Sequence, residues 1–142
     1  MILAASLLDA FIGVFLFVVF LVLLIFIFYL LTLQNALKKV SSQNRTVEPG
    51  NVWLMLIPLV NVIYPFILYP KISESLKNEF ESRNMPQSGD YGKLVGLLFA
   101  ICGPLGIITN FIPPLSIIVS LANLVLFIVY WVQIAGFKSK LD

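Results

Sequence analysis

The chain has 142 residues, 60% of them hydrophobic and 11% charged, with a net charge of +2 and a mean hydropathy of +1.01. Soluble domains are about 45–50% apolar and about 25% charged, so this balance excludes an ordinary water-soluble globule. So small a net charge gives no argument for nucleic acid as a partner, and at 15.9 kDa residues 1–142 read as a single membrane domain.

Along the chain, residues 10–33 carry no charge and hold half of the 12 phenylalanines. Spanning a bilayer core takes roughly 20 apolar residues as helix, and this run is apolar on every face. The reading is a first transmembrane helix. It lacks a preceding basic region or a small-residue cleavage pattern, so it is expected to stay as an anchor. Residues 34–51 form a basic loop with Lys38, Lys39 and Arg45.

Residues 52–70 are apolar but interrupted by Pro58 and Pro65, closed by Pro70, and carry Asn61 between the first two prolines. Prolines remove helical hydrogen bonds and clash with the preceding turn, which leaves two readings. One is a kinked fourth span. The other is a re-entrant hairpin turning around residues 58–61, which would place all nine Lys and Arg on one membrane face and is preferred by the positive-inside rule.

In residues 71–83, Ile72, Leu76 and Phe80 share one helical stripe, while Lys77–Glu81 and Glu79–Arg83 are expected to pair on the outer face. This predicts a short amphipathic helix at the membrane interface. Residues 91–112 and 115–137 read as two further spans joined at Pro113-Pro114. The expected fold is an all-α integral membrane protein: three full transmembrane helices, one proline-broken re-entrant hairpin or kinked fourth span, and the interfacial helix.

Asn35, Arg45, Glu48-Pro49-Gly50, Trp53, Ile57-Pro58-Leu59-Val60-Asn61 and Pro65-Phe66 stand in an order that resembles a bacterial family of domains of unknown function. Its members are small multi-span membrane proteins with a Trp…Pro-x-x-Asn-x-x-x-Pro segment. The resemblance covers residues 34–80 and more weakly 115–137. It implies a multi-span fold and no reaction or ligand.

The candidate site residues fall into four groups. Gly92, Gly96, Ala100 and Pro104 recur every four residues, a small-residue face suited to close helix packing, with Pro104 expected to kink its helix. Pro58, Asn61, Pro65, Ser120 and Asn123 are the expected buried polar and kink positions; Ser116, Ser120, Asn123 and Tyr130 share a face that should point into the protein. Trp53, Tyr69, Tyr91 and Trp131 stand near polar boundaries as interface anchors. Lys38, Lys39, Arg45, Lys71 and Lys77 are the candidate contacts to lipid headgroups.

Catalysis is disfavoured. The chain has no histidine, the apolar runs hold no charge, and the lone Cys102 reads as a packing residue. No metal site or cofactor is expected. The expected partners are membrane lipids and either a second copy or another membrane protein. The preferred function is an accessory or scaffold subunit assembling through helix–helix contacts. The alternative is a subunit of an oligomeric channel or transporter, with Asn61 and Asn123 lining a path. Charge placement implies a cytoplasmic C-terminus, and the family resemblance implies a bacterial inner membrane.

Overall fold

A computed structural model describes all of residues 1–142. The chain is all-helical, 80% helix with no strand. It divides into two compact units, Met1–Leu31 and Thr32–Asp142. Two helices, α1 (Ile2–Lys39) and α5 (Pro113–Lys140), are long and apolar enough to cross a membrane. Between them lie a 3-10 helix (Pro49–Leu56), α2 (Val60–Ile63), α3 (Pro65–Ser82) and α4 (Lys93–Thr109).

Helix α1 is 38 residues long and overruns the apolar stretch at both ends. The reason is local: no proline interrupts residues 2–39, so nothing stops propagation before the polar turn at Val40–Ser41. At a rise of about 1.5 Å per residue it reaches ~57 Å, well beyond a ~30 Å hydrocarbon core. Within the first unit every side chain through Ile25 is exposed, so this is no buried core helix.

In the second unit α1 ends in Lys38 and Lys39, which suit the negative end of the helix dipole. Arg45 completes that end. Its Nε donates to the carbonyls of Leu37 and Val40 at 3.0 and 2.9 Å, and its Nη2 donates to Lys38 at 3.4 Å. These are carbonyls that a helix end otherwise leaves unsatisfied.

Three prolines mark helix starts rather than breaks. Pro49, Pro65 and Pro113 each stand at the first turn, where the missing N–H would have no partner anyway. The break falls at Ile57, extended at ψ 118 as expected for a residue before proline. From there residues 47–70 form a hairpin. Its two ends meet: the Thr46 hydroxyl donates to the Lys71 carbonyl at 2.8 Å, and the Thr46 N–H donates to the Ser75 hydroxyl at 2.9 Å.

The expected end of this segment at Pro70 is corrected. Helix α3 starts at Pro65 and runs through Pro70 without stopping, so the amphipathic helix is longer than 71–83. One face of it is enclosed by the fold, while Lys71, Glu74, Lys77 and Glu81 stay exposed along the other. Ile72, Leu76 and Phe80 are buried as the stripe required, but Ser73, Ser75 and Glu79 are buried beside them. Lys77 and Glu81 remain exposed and form no ion pair; the two ion pairs in the chain are Lys39–Asp142 and Glu79–Arg83.

Helices α4 and α5 form an antiparallel hairpin around Asn110–Ile112, tied by Ile112 N–H to Thr109 O at 2.9 Å. Neighbours step in register from the charged end to the tip: Gly92 faces Gln133, Gly96 faces Tyr130, Phe99 tilts against Phe127, and Gly106 approaches Val119. Residues 94–137 contain no charge at all. Pro104 lies inside α4, which continues past it to Thr109.

Candidate functional site

The second unit has a closed polar end and an open apolar end, and the candidate residues divide between them. At the closed end, α3 presents Glu79, 4% exposed, to the loop after α1. Its Oε2 accepts from the Ser41 N–H at 3.0 Å, the Ser41 hydroxyl at 2.9 Å and Asn44 Nδ2 at 3.1 Å, while Oε1 meets Arg83 Nε at 3.4 Å. Burial pushes this carboxyl up, but the Ser41 and Asn44 donors and the Arg83 charge outweigh it and hold it below the usual glutamate range.

Arg83 carries the connection further. Its Nη1 donates to the Leu141 carbonyl at 2.9 Å and Nη2 to the Lys39 carbonyl at 3.2 Å, so one guanidinium ties α1, α3 and the end of α5. Lys39 pairs with Asp142, whose carboxyl is lowered by that contact, and Lys140 Nζ donates to Gln87 Oε1 at 2.9 Å. None of these partnerships is local in sequence. The expectation that Glu79 lies on an outer, solubilising face is therefore corrected: it is the buried acceptor at the centre of this junction.

Tyr69 and Tyr91 are corrected too. Both are buried, at 1% and 4% exposure, and are core residues rather than interface anchors. The Tyr69 ring stacks on Phe99 and tilts against Tyr130, with centroids 5.8 and 4.6 Å away. Tyr91 packs between Phe80 and Phe137, accepts from the Gln87 N–H at 2.9 Å, and its carbonyl accepts from the Ser73 hydroxyl at 3.0 Å. These contacts hold Tyr91 at φ +60, a left-handed conformation that a bulky residue adopts only when its surroundings fix it. Trp53 and Trp131 are half-buried, and Trp131 Nε1 donates to the Thr32 hydroxyl at 2.9 Å.

The small-residue face of α4 turns inward, against helices of the same chain. A Cβ on Gly96 would meet Tyr69 Cβ at 2.9 Å and Tyr130 Cε2 at 3.3 Å, and Ala100 is buried one turn on. Gly92 differs from the expectation. It is the left-handed residue at the start of α4, φ +81, rather than a member of the helical stripe. Asp90 accepts there from the Gly92 and Leu94 N–H groups at 3.2 and 2.8 Å.

At the open end the expected buried polar residues face outward. Pro58, Asn61, Ser120 and Asn123 are all exposed; Pro65 alone of that group is buried. The α5 face that carries Ser116, Ser120, Asn123 and Tyr130 is therefore divided: Tyr130 is buried against Gly96 and Tyr69, while Ser120 and Asn123, nearer the hairpin tip, are left uncovered. An open groove of about 470 Å³ runs between α4 and α5, lined by Cys102, Gly103, Gly106, Asn110, Ser120 and Asn123 among others. Asn61 does not line it, so a single chain brings Asn123 together with Asn110 and Ser120, and not with Asn61.

The five bases separate as well. Arg45 and Lys71 line one cavity of about 370 Å³, beside Asn51 and Tyr64. Lys77 lines another of about 440 Å³ with Lys93, Glu74 and Asp90. Lys38 is exposed and Lys39 is occupied by Asp142. The chain contains no group of three or more His, Cys, Asp and Glu side chains arranged to hold a metal ion. Comparison with protein-family models, with curated proteins and with solved structures gives no match.

Sequence reasoning missed Ser41, Asn44, Glu79 and Arg83 as a unit. One signal was present: Ile72, Leu76 and Glu79 fall at i, i+4 and i+7, which puts a carboxylate in a core-facing register. Its partners lie 35 and 38 residues earlier and leave no local trace.

Proposed function

We propose that this chain is a small non-enzymatic integral membrane protein, an accessory or scaffold subunit that assembles through helix–helix contacts in a bacterial cytoplasmic membrane. Three segments cross: 10–33, 91–112 and 115–137. Helix α4 is short, but it packs antiparallel along α5, so if α5 crosses, α4 returns beside it. Segment 52–70 re-enters rather than crosses. The hydrogen bonds from Thr46 to Lys71 and Ser75 support this, since crossing would carry the two ends to opposite faces, ~30 Å apart. All nine Lys and Arg then share the cytoplasmic side with the C-terminus.

The observation that carries the scaffold reading is the groove between α4 and α5. Asn110, Ser120 and Asn123 are exposed or half-open in the least charged stretch of the chain, over Gly103, where an added Cβ would meet nothing within 4 Å. Polar side chains facing hydrocarbon favour a helix that can hydrogen-bond with them, and small residues allow its close approach. Asn61→Leu together with Asn123→Leu separates the readings. For a scaffold, native mass measurement in gentle detergent should show loss of the bound partner or second copy. Retained assembly with abolished ion or solute flux in liposomes would instead establish the channel reading, for which the groove's polar lining is the supporting feature. Cysteines placed at Asn44 and Ser88 should label from the same membrane face; labelling from opposite faces would overturn the re-entrant topology.

A further inference from the structure

We propose that the cavity between the loop after α1 and the 47–70 hairpin binds the phosphate of an anionic phospholipid, with Arg45 and Lys71 as its cationic contacts; this rests on the membrane reading above. The cavity of about 370 Å³ is lined by the charged and polar side chains of Arg45, Lys71, Asn51 and Tyr64 together with the apolar Leu54 and Ile67. The same segment exposes Ile57, Leu59 and Ile63 at 47%, 83% and 68%. The cavity and its segment therefore offer cationic, hydrogen-bonding and apolar groups, the three kinds of partner that a phospholipid's phosphate, glycerol and acyl chains require.

Both bases are available. The chain's two ion pairs involve neither Arg45 nor Lys71. Arg45 is also held in place, because its Nε is committed to the Leu37 and Val40 carbonyls while Nη1 makes no hydrogen bond. A guanidinium fixed in this way suits the planar, forked recognition of phosphate oxygens. One acid, Glu48, lines the same cavity and is exposed, leaving two cations against one carboxylate. The neighbouring cavity has Lys77 and Lys93 balanced by Glu74 and Asp90, and so offers an anion no comparable excess.

The test uses the full chain in detergent micelles, with phosphatidylglycerol, phosphatidylcholine or inorganic phosphate added, and bound species counted by native mass spectrometry. Phosphatidylglycerol should bind in preference to phosphatidylcholine. Lys71→Gln should weaken it about fivefold, the effect of one basic side chain near an anionic surface, while Lys77→Gln should leave it unchanged. Lys71 is chosen because its side chain makes no contact that the fold needs, unlike Arg45. Equal losses in the two variants, or no preference for the anionic lipid, would overturn the proposal. Saturation by inorganic phosphate at the same concentration would reassign the site to free phosphate. Alkaline carbonate extraction of membranes separates the two levels: a chain that stays in the membrane yet ignores Lys71→Gln removes only this inference, whereas a chain released by carbonate removes the membrane reading with it.

Discussion

Residues 2–25 and residues 69–80 invert the usual rule of burial. The first stretch exposes its Leu, Val and Phe side chains in succession; the second encloses Ser73, Ser75 and Glu79. On the proposed membrane reading, the apolar side chains of the first stretch gain nothing by clustering, because lipid tails are as apolar as they are. At a polar boundary, by contrast, water competes for every hydrogen bond, and a group taken out of it must find replacement partners. Glu79 finds three donors and a guanidinium, so the most tightly specified part of this molecule is its polar end. The α4–α5 hairpin repeats the contrast over a shorter distance: closed at Gly96, against Tyr69 and Tyr130, and open at Gly103.

Five substitutions test how sharply these regions differ. Glu79→Ala should be the most damaging, about 3 kcal/mol by unfolding in detergent, because it removes the buried acceptor of three half-buried donors on Ser41 and Asn44 and leaves Arg83 without its carboxylate. The same junction should respond to acid. A carboxyl held below its ordinary value of 4.5 gives its full stabilisation above that value and loses it as pH falls through the folded-state value. Thermal stability of the native chain should therefore drop below pH 4.5 by more than that of Glu79→Gln, and parallel curves for the two proteins would remove Glu79 from the account.

Gly96→Ala comes next, at about 2 kcal/mol, since its Cβ would stand 2.9 Å from Tyr69 Cβ and force α3 and α4 apart. Trp131→Phe keeps an aromatic ring beside Phe127, though a smaller one, and loses the hydrogen bond to Thr32, a cost of about 1 kcal/mol. The smallest effect belongs to Gly103→Ala, where nothing obstructs the methyl group; alanine's better helix propensity should leave stability unchanged or raised by up to ~1 kcal/mol. If Gly96→Ala and Gly103→Ala prove equal in the same unfolding experiment, the distinction between a closed and an open end fails.

Much of the helical layout was legible from residue type alone. Long uncharged runs predict α1 and α5, and the proline pair after Ile112 predicts the tip of the last hairpin. Hydropathy reports the medium a segment prefers, however, and not where hydrogen bonding stops. That is why α1 extends through residues 2–9 and 34–39, outside the apolar window. It is also why Pro70, expected to close a segment, lies inside α3. Tyr69 and Tyr91 were misplaced for a related reason. An aromatic next to polar residues has the same local signature whether it anchors at an interface or fills a core, and only the rings packed around it tell them apart.

By itself the sequence determined the class of structure. With 60% apolar residues and few charges, confined largely to chain segments between long apolar runs, it marks helices, each of which satisfies its own backbone hydrogen bonds. The tertiary structure decided which charged and polar groups meet: Glu79 with Ser41 and Asn44, Arg83 with the ends of α1 and α5, and Arg45 with Lys71 around one cavity. It also decided that Asn123 opens outward, away from Asn61. Helix formation depends on residues a few positions apart, which a sequence displays directly. These partnerships span tens of residues and exist only once the helices have packed.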